Sequence, residues 1–456
     1  MFPTTGISEM QFNVGLRTVL LLFTMTGWVC AESLTPAQMR EDFLVLRDQW
    51  GPLDHSFSNE QRRAFDEAIA ADIARVDTLS VPDFILDVMQ AAAIPRNGHT
   101  AAWVNPHTMP MRAWWFADGL YAISVAPGFE ALLGARIEKL GSLSPDEALV
   151  RAAPFISGTM QRVRYLSAVY LMAPQLLRRI GAVMDAADVP VMLRLRDGSE
   201  LTMILGPAEA PDPGDQGNPM RSAFTVLIPD APDMKGRWLH VLDGVKPRPA
   251  VYADPVDISM AWIGEGGKIL YIRSNFVSSL DKDALDQKLL FGVLQSQVVP
   301  RRPRFVIVDL RLNNGGNFFN TILFAQALPK LMPQEGRIFV LISRATFSAA
   351  LTTAAMLRGN GDGRVVFVGE PMGDGTRFWA EGGTITLPNS RIPIRYSNGF
   401  HDWGEGCSDP GTCYWPAVAF GVRGVSLEPD VRVDVTFTDY VAGRDPVLDA
   451  AVVLAK

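Results

Sequence analysis

The sequence predicts an α/β fold built on a parallel sheet, and one stretch supplies the observations behind that reading. Phe305–Leu310, Ile338–Ile342 and Val365–Val368 are short runs rich in Val, Ile and Phe. That is the composition of strands buried on both faces. Between them lie two helical patterns, about Phe318–Leu331 and Ser348–Leu357. Strand and helix alternating in this way imply crossover connections and therefore parallel strands.

Two junctions of this unit carry residues suited to chemistry. Asn313-Asn314-Gly315-Gly316 follows the first strand, and its glycines let backbone N–H groups approach whatever sits at the helix start. Thr346-Phe347-Ser348-Ala349-Ala350 follows the second. A serine here lies at the positive end of a helix with its own and the next N–H exposed, which suits a nucleophile beside an oxyanion hole. Each motif also has an ordinary reading: a serine before a helix as an N-cap, a Gly-Gly pair as a turn.

The chain of 456 residues has a formal net charge of −7. This balance, with no Lys/Arg-rich run, argues against a nucleic-acid partner. Near the N-terminus, Arg17 precedes the apolar run Thr18–Val29, followed by Cys30-Ala31. Val29 and Ala31 stand three and one positions before a signal-peptidase cut after Ala31. The run is too short for an ordinary membrane span. The expectation is a signal peptide over 1–31 and a periplasmic or secreted protein. Cys407 and Cys413 flank a turn-forming Ser-Asp-Pro-Gly-Thr. In an exported protein they read as a disulfide, otherwise as two free thiols.

Residues 32–105 begin as helices, with starts at Thr35-Pro36, Ser58 and Val81-Pro82. They end in Asn97-Gly98-His99-Thr100 and a strand from Ala101. Residues 106–210 are β-rich with inserted helices, and Arg196-Asp197-Gly198 turns a hairpin between Val191–Leu195 and Leu201–Leu205. Residues 211–255 are rich in Pro, Gly and Asp and read as a linker or long surface loop. Residues 256–456 hold the α/β core, with further strands at Gly383–Leu387, Ile392–Tyr396 and Val431–Val435, and a helix opened by Asp445-Pro446.

Taken in order, these pieces resemble the S41 peptidases, the family of the C-terminal processing proteases, the tricorn core proteases and the interphotoreceptor retinoid-binding protein domains. Asn97-Gly98-His99-Thr100 is similar to a G-H-T segment, and Asp309-Leu310-Arg311-Leu312-Asn313-Asn314-Gly315-Gly316 to a D-x-R-x-N-x-G-G strand end. Thr346–Ala350 is similar to the nucleophile segment, Val368-Gly369-Glu370 to V-G-E, and Leu427-Glu428-Pro429-Asp430 to E-P-D. Gly134–Leu149 looks like the middle of a PDZ domain. The resemblance implies a ClpP/crotonase-like ββα-superhelix core, with the N-terminal helical cap and a PDZ-like domain at 106–210. It implies Ser348 as nucleophile and an oxyanion hole from the N–H groups of Gly315 or Gly316 and of Ala349.

One departure narrows the mechanism. Asp374 stands where the processing proteases carry a catalytic lysine, and no lysine occurs between Ser348 and Ala455. The tricorn-like branch instead pairs its serine with a histidine, for which His99 is the matching residue. The acid orienting it would be Glu428, with Glu405 and Asp374 as alternatives. The expected activity is serine-type endopeptidase on a peptide or protein substrate, bound by strand addition to the PDZ-like region, with no metal or organic cofactor. Two rivals stand beside it: a catalytically silent protein binding peptide or hydrophobic ligand, and a crotonase-type enzyme acting on an acyl thioester.

Overall fold

The computed structural model describes residues 34–208, 226–229, 238–253, 258–275 and 285–456. The expected signal peptide and most of the expected linker lie outside the described residues. None of the described helices is long and apolar enough to cross a membrane.

The N-terminal part is helical, as its start signals require. Helices Pro36–Val45, Asn59–Ala74 and Val81–Ala93 begin at Thr35, Ser58 and Ser80, each of whose hydroxyls accepts from a backbone N–H of the first turn. Phe43, Trp50, Phe65 and Phe84 are fully buried between them. The last helix delivers the chain to strand β1 (Ala101–Ala102).

The next part is an antiparallel sheet of β2 (Met111–Phe116), β3 (Gly119–Val125), β4 (Arg136–Leu140), β5 (Val189–Arg194) and β6 (Glu200–Leu205), in that order. Three helices are inserted between β4 and β5: Pro145–Ala152, Met160–Tyr170 and Pro174–Arg179. The hairpin at Arg196–Gly198 joins β5 and β6 as expected. The described parts of 211–255 pack closely: Val226, Leu227, Ile228, Leu242 and Val251 are buried in the same core, and β7 (Leu239–His240) pairs with β3.

The second sheet runs β17 (Val431–Arg432), β12 (Val365–Gly369), β11 (Arg337–Ile342), β10 (Phe305–Asp309), β9 (Ile269–Ser274) and β8 (Ile258–Ile263). All its neighbours are parallel except β8 and β9. Alternate residues face opposite ways. Leu270, Ile272, Val306, Val308, Ile338 and Val340 meet helices Leu285–Val293, Phe319–Leu331 and Ala349–Asn360. Ile269, Tyr271, Ile307, Phe339 and Leu341 meet helix Pro446–Leu454. Burial on both faces explains why these strands read as continuous apolar runs. Three further strands, β14 (Gly383–Thr386), β15 (Pro393–Tyr396) and β1, make a small antiparallel sheet that ties the helical cap to the core. The antiparallel pair β13 (Arg377–Ala380) and β16 (Gly399–Asp402) was not anticipated. Their alternation is broken by histidine and tryptophan. Cys407 and Cys413 form a disulfide.

Candidate active site

The ends of β10 and β11 are locked by buried polar contacts. Asp309 accepts both from Arg311 (Nη2 to Oδ2, 2.6 Å) and from the Tyr271 hydroxyl (2.7 Å). Arg311 also donates to Asp445 Oδ1 at 2.6 Å, and Asp445 caps helix Pro446–Leu454. Burial pushes the Asp309 carboxyl up, but the Arg311 charge and hydrogen bonds outweigh it and hold the group below its ordinary range. Glu370 is paired in the same way with Arg344, through two bonds of 2.7 Å. These motif residues build the scaffold.

Ser348 sits where the Thr346–Ala350 segment enters helix Ala349–Asn360. Thr346 fixes the turn by donating to the Leu310 carbonyl (2.9 Å) and accepting from the Ser343 N–H (3.0 Å). Ser348 itself has φ 54° and ψ −123°, and its side chain makes no capping bond. A capping serine adopts extended backbone angles and bonds the first turn, as Ser58 and Ser80 do here. The N-cap reading of Ser348 therefore fails. A non-glycine residue held at this strained φ, on a sharp turn between strand and helix, is the geometry that presents a nucleophile's hydroxyl.

The Asn313–Gly316 segment abuts that turn. Asn313 accepts from the Gly315 N–H at 2.9 Å, and its side-chain nitrogen donates to the Ser274 carbonyl at 2.9 Å. Phe347 donates its N–H to the Asn313 carbonyl at 3.1 Å. Gly315 has φ 101°, and a Cβ there would lie 2.6 Å from the Ser348 Cβ and 2.9 Å from the Ala349 nitrogen. Only glycine fits. Since the Gly315 N–H is engaged by Asn313, the expectation of an oxyanion hole passes to Gly316 and Ala349. Ala349 opens the helix, so its N–H has no carbonyl partner in the preceding turn.

His99 lies against the nucleophile turn. Its ring stacks on Phe347 (centroids 4.4 Å apart) and on Phe378 (5.3 Å). The approach depends on Gly98, where a Cβ would come within 2.8 Å of the Phe347 ring. The turn is held by Thr100, which donates to Asp54 at 2.6 Å, and by Asn97, which accepts from the Trp379 N–H at 3.2 Å. Asp374 is the carboxylate beside His99, with Oδ2 3.8 Å from Nδ1 and both side chains buried. That is ion-pair range but longer than a hydrogen bond. Both His99 nitrogens and Asp374 Oδ2 are buried without a hydrogen-bond partner among the described residues. Burial, then the charges of Arg395, His401 and Arg162, push the imidazole well below its ordinary range. Burial likewise raises Asp374 to about 7, against the Gly375 N–H and the Arg162 charge. Glu428 and Glu405 are exposed, and neither pairs with His99 among the described residues.

Sequence reasoning did not find the residues that surround this cluster. Phe378 stacks between His99 and a second buried histidine, His401, at 4.8 Å. Arg162, fully buried, lies 3.9 Å from the centroid of the Phe347 ring and donates to Asn314 Oδ1 at 2.8 Å. The available signal was an arginine beside Val163 on the inward face of an otherwise amphipathic helix.

No family model and no curated protein matches the chain. Among solved structures the chain is similar to mature CPAF complexed with lactacystin, with a TM-score of 0.56 and 12% identity over 93% of this chain and 99% of that one. Mature CPAF alone gives 0.55 at 13% identity, covering 93% and 98%. The chain has the fold of CPAF. Weaker similarity, at a TM-score of 0.30 and 12% identity over 79% of this chain and 86% of that one, runs to a putative S41 protease from Bacteroides fragilis. The CPAF fold accounts for the end-to-end match: helical cap, β-rich part and α/β core occur together in one chain of similar length.

Proposed function

We propose that the chain is an exported serine-type peptidase of the S41 kind. Ser348 attacks the peptide carbonyl, His99 takes its proton, and Asp374 orients and charge-balances the imidazole. The N–H groups of Gly316 and Ala349 hold the oxyanion. The observation that carries this reading is the Ser348 backbone, strained and free of any capping role, with a buried histidine stacked on the residue before it. Depression of the His99 pKa keeps the ring neutral at pH 7, the state a general base needs. Apo catalytic hydrogen bonds are often long, and the 3.8 Å separation of His99 and Asp374 fits a pair of that kind at rest. The ClpP/crotonase-like core and the PDZ-like assignment of 106–210 belong to this reading. The β6 edge, whose side chains alternate in exposure, would take a substrate strand. The Cys407–Cys413 bond fits an oxidising compartment.

A fluorophosphonate probe on the folded protein tests the proposal. Wild type is expected to label. Ser348→Ala abolishes labelling, and His99→Ala lowers its rate by about 1,000-fold, the scale on which a lost general base or triad member acts. Lactacystin, the ligand of mature CPAF, is expected to compete for the same serine. Labelling that survives in Ser348→Ala sinks the assignment. The second reading, a silent protein that binds peptide or hydrophobic ligand, is favoured by the unbonded His99 nitrogens, and absence of labelling from pH 5 to 9 would move the conclusion to it.

A further inference from the structure

Three of the four segments that make the candidate site are held by one helix of the β-rich part. Helix Met160–Tyr170 lies between β4 and β5 and packs on β2. Its cap and first two turns present Thr159, Arg162 and Tyr165, spaced three apart and so on one face. Thr159 donates through its hydroxyl to the Gly373 carbonyl at 2.9 Å, immediately before Asp374. Arg162 covers the Phe347 ring, immediately before Ser348, and donates to Asn314. The Tyr165 hydroxyl accepts from Asn314 Nδ2 at 2.8 Å, immediately before Gly315. The contacts at Gly373 and Phe347 are one residue upstream of a group the mechanism uses, and those at Asn314 are two upstream of Gly316.

We propose that Thr159, Arg162 and Tyr165 are positioning residues: a strut from the β-rich part that sets nucleophile turn, oxyanion segment and Asp374 relative to one another. The proposal rests on the peptidase reading for its consequences in rate, but the geometry stands without it. Asn314 is gripped from both ends of its amide, its oxygen by Arg162 and its nitrogen by Tyr165, so its plane is fixed. The Arg162 guanidinium is fully buried, lies on the Phe347 face and bonds the Asn314 amide, so a single side chain bears on both the Ser348 turn and the Asn313–Gly316 segment.

Arg162→Met, Arg162→Lys and Tyr165→Phe test the strut, with exposed Met160→Ala on the same helix as control. Two readouts are needed: the probe's inactivation step measured apart from its binding, and amide hydrogen exchange by mass spectrometry. The expectation is an inactivation step about 100-fold slower for Arg162→Met and about 10-fold slower for Tyr165→Phe, with probe affinity unchanged, because misplacement of about 1 Å is felt on this scale. Arg162→Lys keeps the charge but not the fork and is expected to fold and remain slow. Exchange should quicken in 313–317, 346–350 and 373–375 and stay at the wild-type rate in β9 to β12. Wild-type rate and exchange in Arg162→Lys and Tyr165→Phe overturn the proposal, as does faster exchange spread evenly over the chain. Should wild type fail to label, the peptidase reading falls, and exchange alone decides the strut.

Discussion

Two buried polar clusters lie at the strand ends of the same sheet, and they are built on opposite rules. Around Arg311 every charged group is answered: three guanidinium nitrogens donate to Asp309 and Asp445, and Tyr271 adds a further bond. Around His99 the central groups are not, although Asp374 Oδ1 accepts from the Gly375 N–H. Two ring nitrogens and a carboxylate oxygen are buried with no hydrogen-bond partner among the described residues. Native proteins satisfy nearly all buried polar groups, so an unsatisfied set calls for a reason. In the first cluster polarity holds the fold. In the second, packing holds polar groups in readiness, with Phe347 and Phe378 clamping the imidazole by its faces and leaving its edges free.

The sharpest way to break this contrast is to remove the central group of each. Arg311→Met strands two buried carboxylates and is expected to lower stability by about 3–5 kcal/mol, read by urea unfolding. His99→Phe puts a third phenyl ring in a stack that already has two, and deletes two unsatisfied nitrogens. It is expected to leave stability unchanged or raise it by about 1 kcal/mol, while labelling collapses. If His99→Phe destabilises as much as Arg311→Met, the two clusters are alike and the imidazole is structural.

The contrast also explains what could be read from the sequence. Strands β10, β11 and β12 were legible because burial on both faces leaves an uninterrupted apolar run. The helical cap was legible through Thr35-Pro36, Ser58 and Val81-Pro82, which act locally. Ser348 and His99 were found through motif order. Their supporting contacts join residues far apart in the chain, as Arg162 does with Asn314 and Thr159 with Gly373, and no local pattern encodes such a meeting. The carboxylate was left open among three for the same reason. Nothing in the composition around Asp374 says that it will be buried beside His99, whereas Glu428 falls on the surface despite its motif.

Titration sharpens the comparison next. Asp374 is raised from its ordinary range to about 7 by burial. The folded state therefore holds this proton more tightly than the unfolded chain, and between about pH 4 and 7 folding is progressively weakened as pH rises. Asp374→Asn removes the penalty. Its stability relative to wild type should grow across that window, by up to about 4 kcal/mol at pH 8 if the full shift is expressed. His99 acts in the opposite sense: its depressed pKa means stability is lost as pH falls below about 6.5, the unfolded value. Labelling of wild type should rise through about pH 7 as Asp374 ionises, and the rise should vanish in Asp374→Asn. Two thermal-melt series parallel in pH would remove Asp374 from the site.

The smallest effect concerns the nucleophile's own backbone. Ser348 is held at φ 54°, a region that costs a non-glycine residue on the order of 1 kcal/mol or more. Ser348→Gly relieves that strain and gives up no hydrogen bond in the resting molecule, since the Ser348 side chain caps nothing. The gain is partly offset by the extra freedom glycine adds to the unfolded chain, about 0.5–1 kcal/mol. Ser348→Gly should therefore be slightly more stable than Ser348→Ala, which keeps both the Cβ and the strain, by about 0.5–1 kcal/mol. Neither should label. The order of the two variants carries the argument, because it separates a turn strained for presentation from an ordinary helix start. At an ordinary start, alanine and glycine would both lose a capping bond, and Ser348→Ala would fall below wild type by about 1 kcal/mol. Here Ser348→Ala should match wild type within about 0.5 kcal/mol, because the Ser348 hydroxyl makes no capping bond.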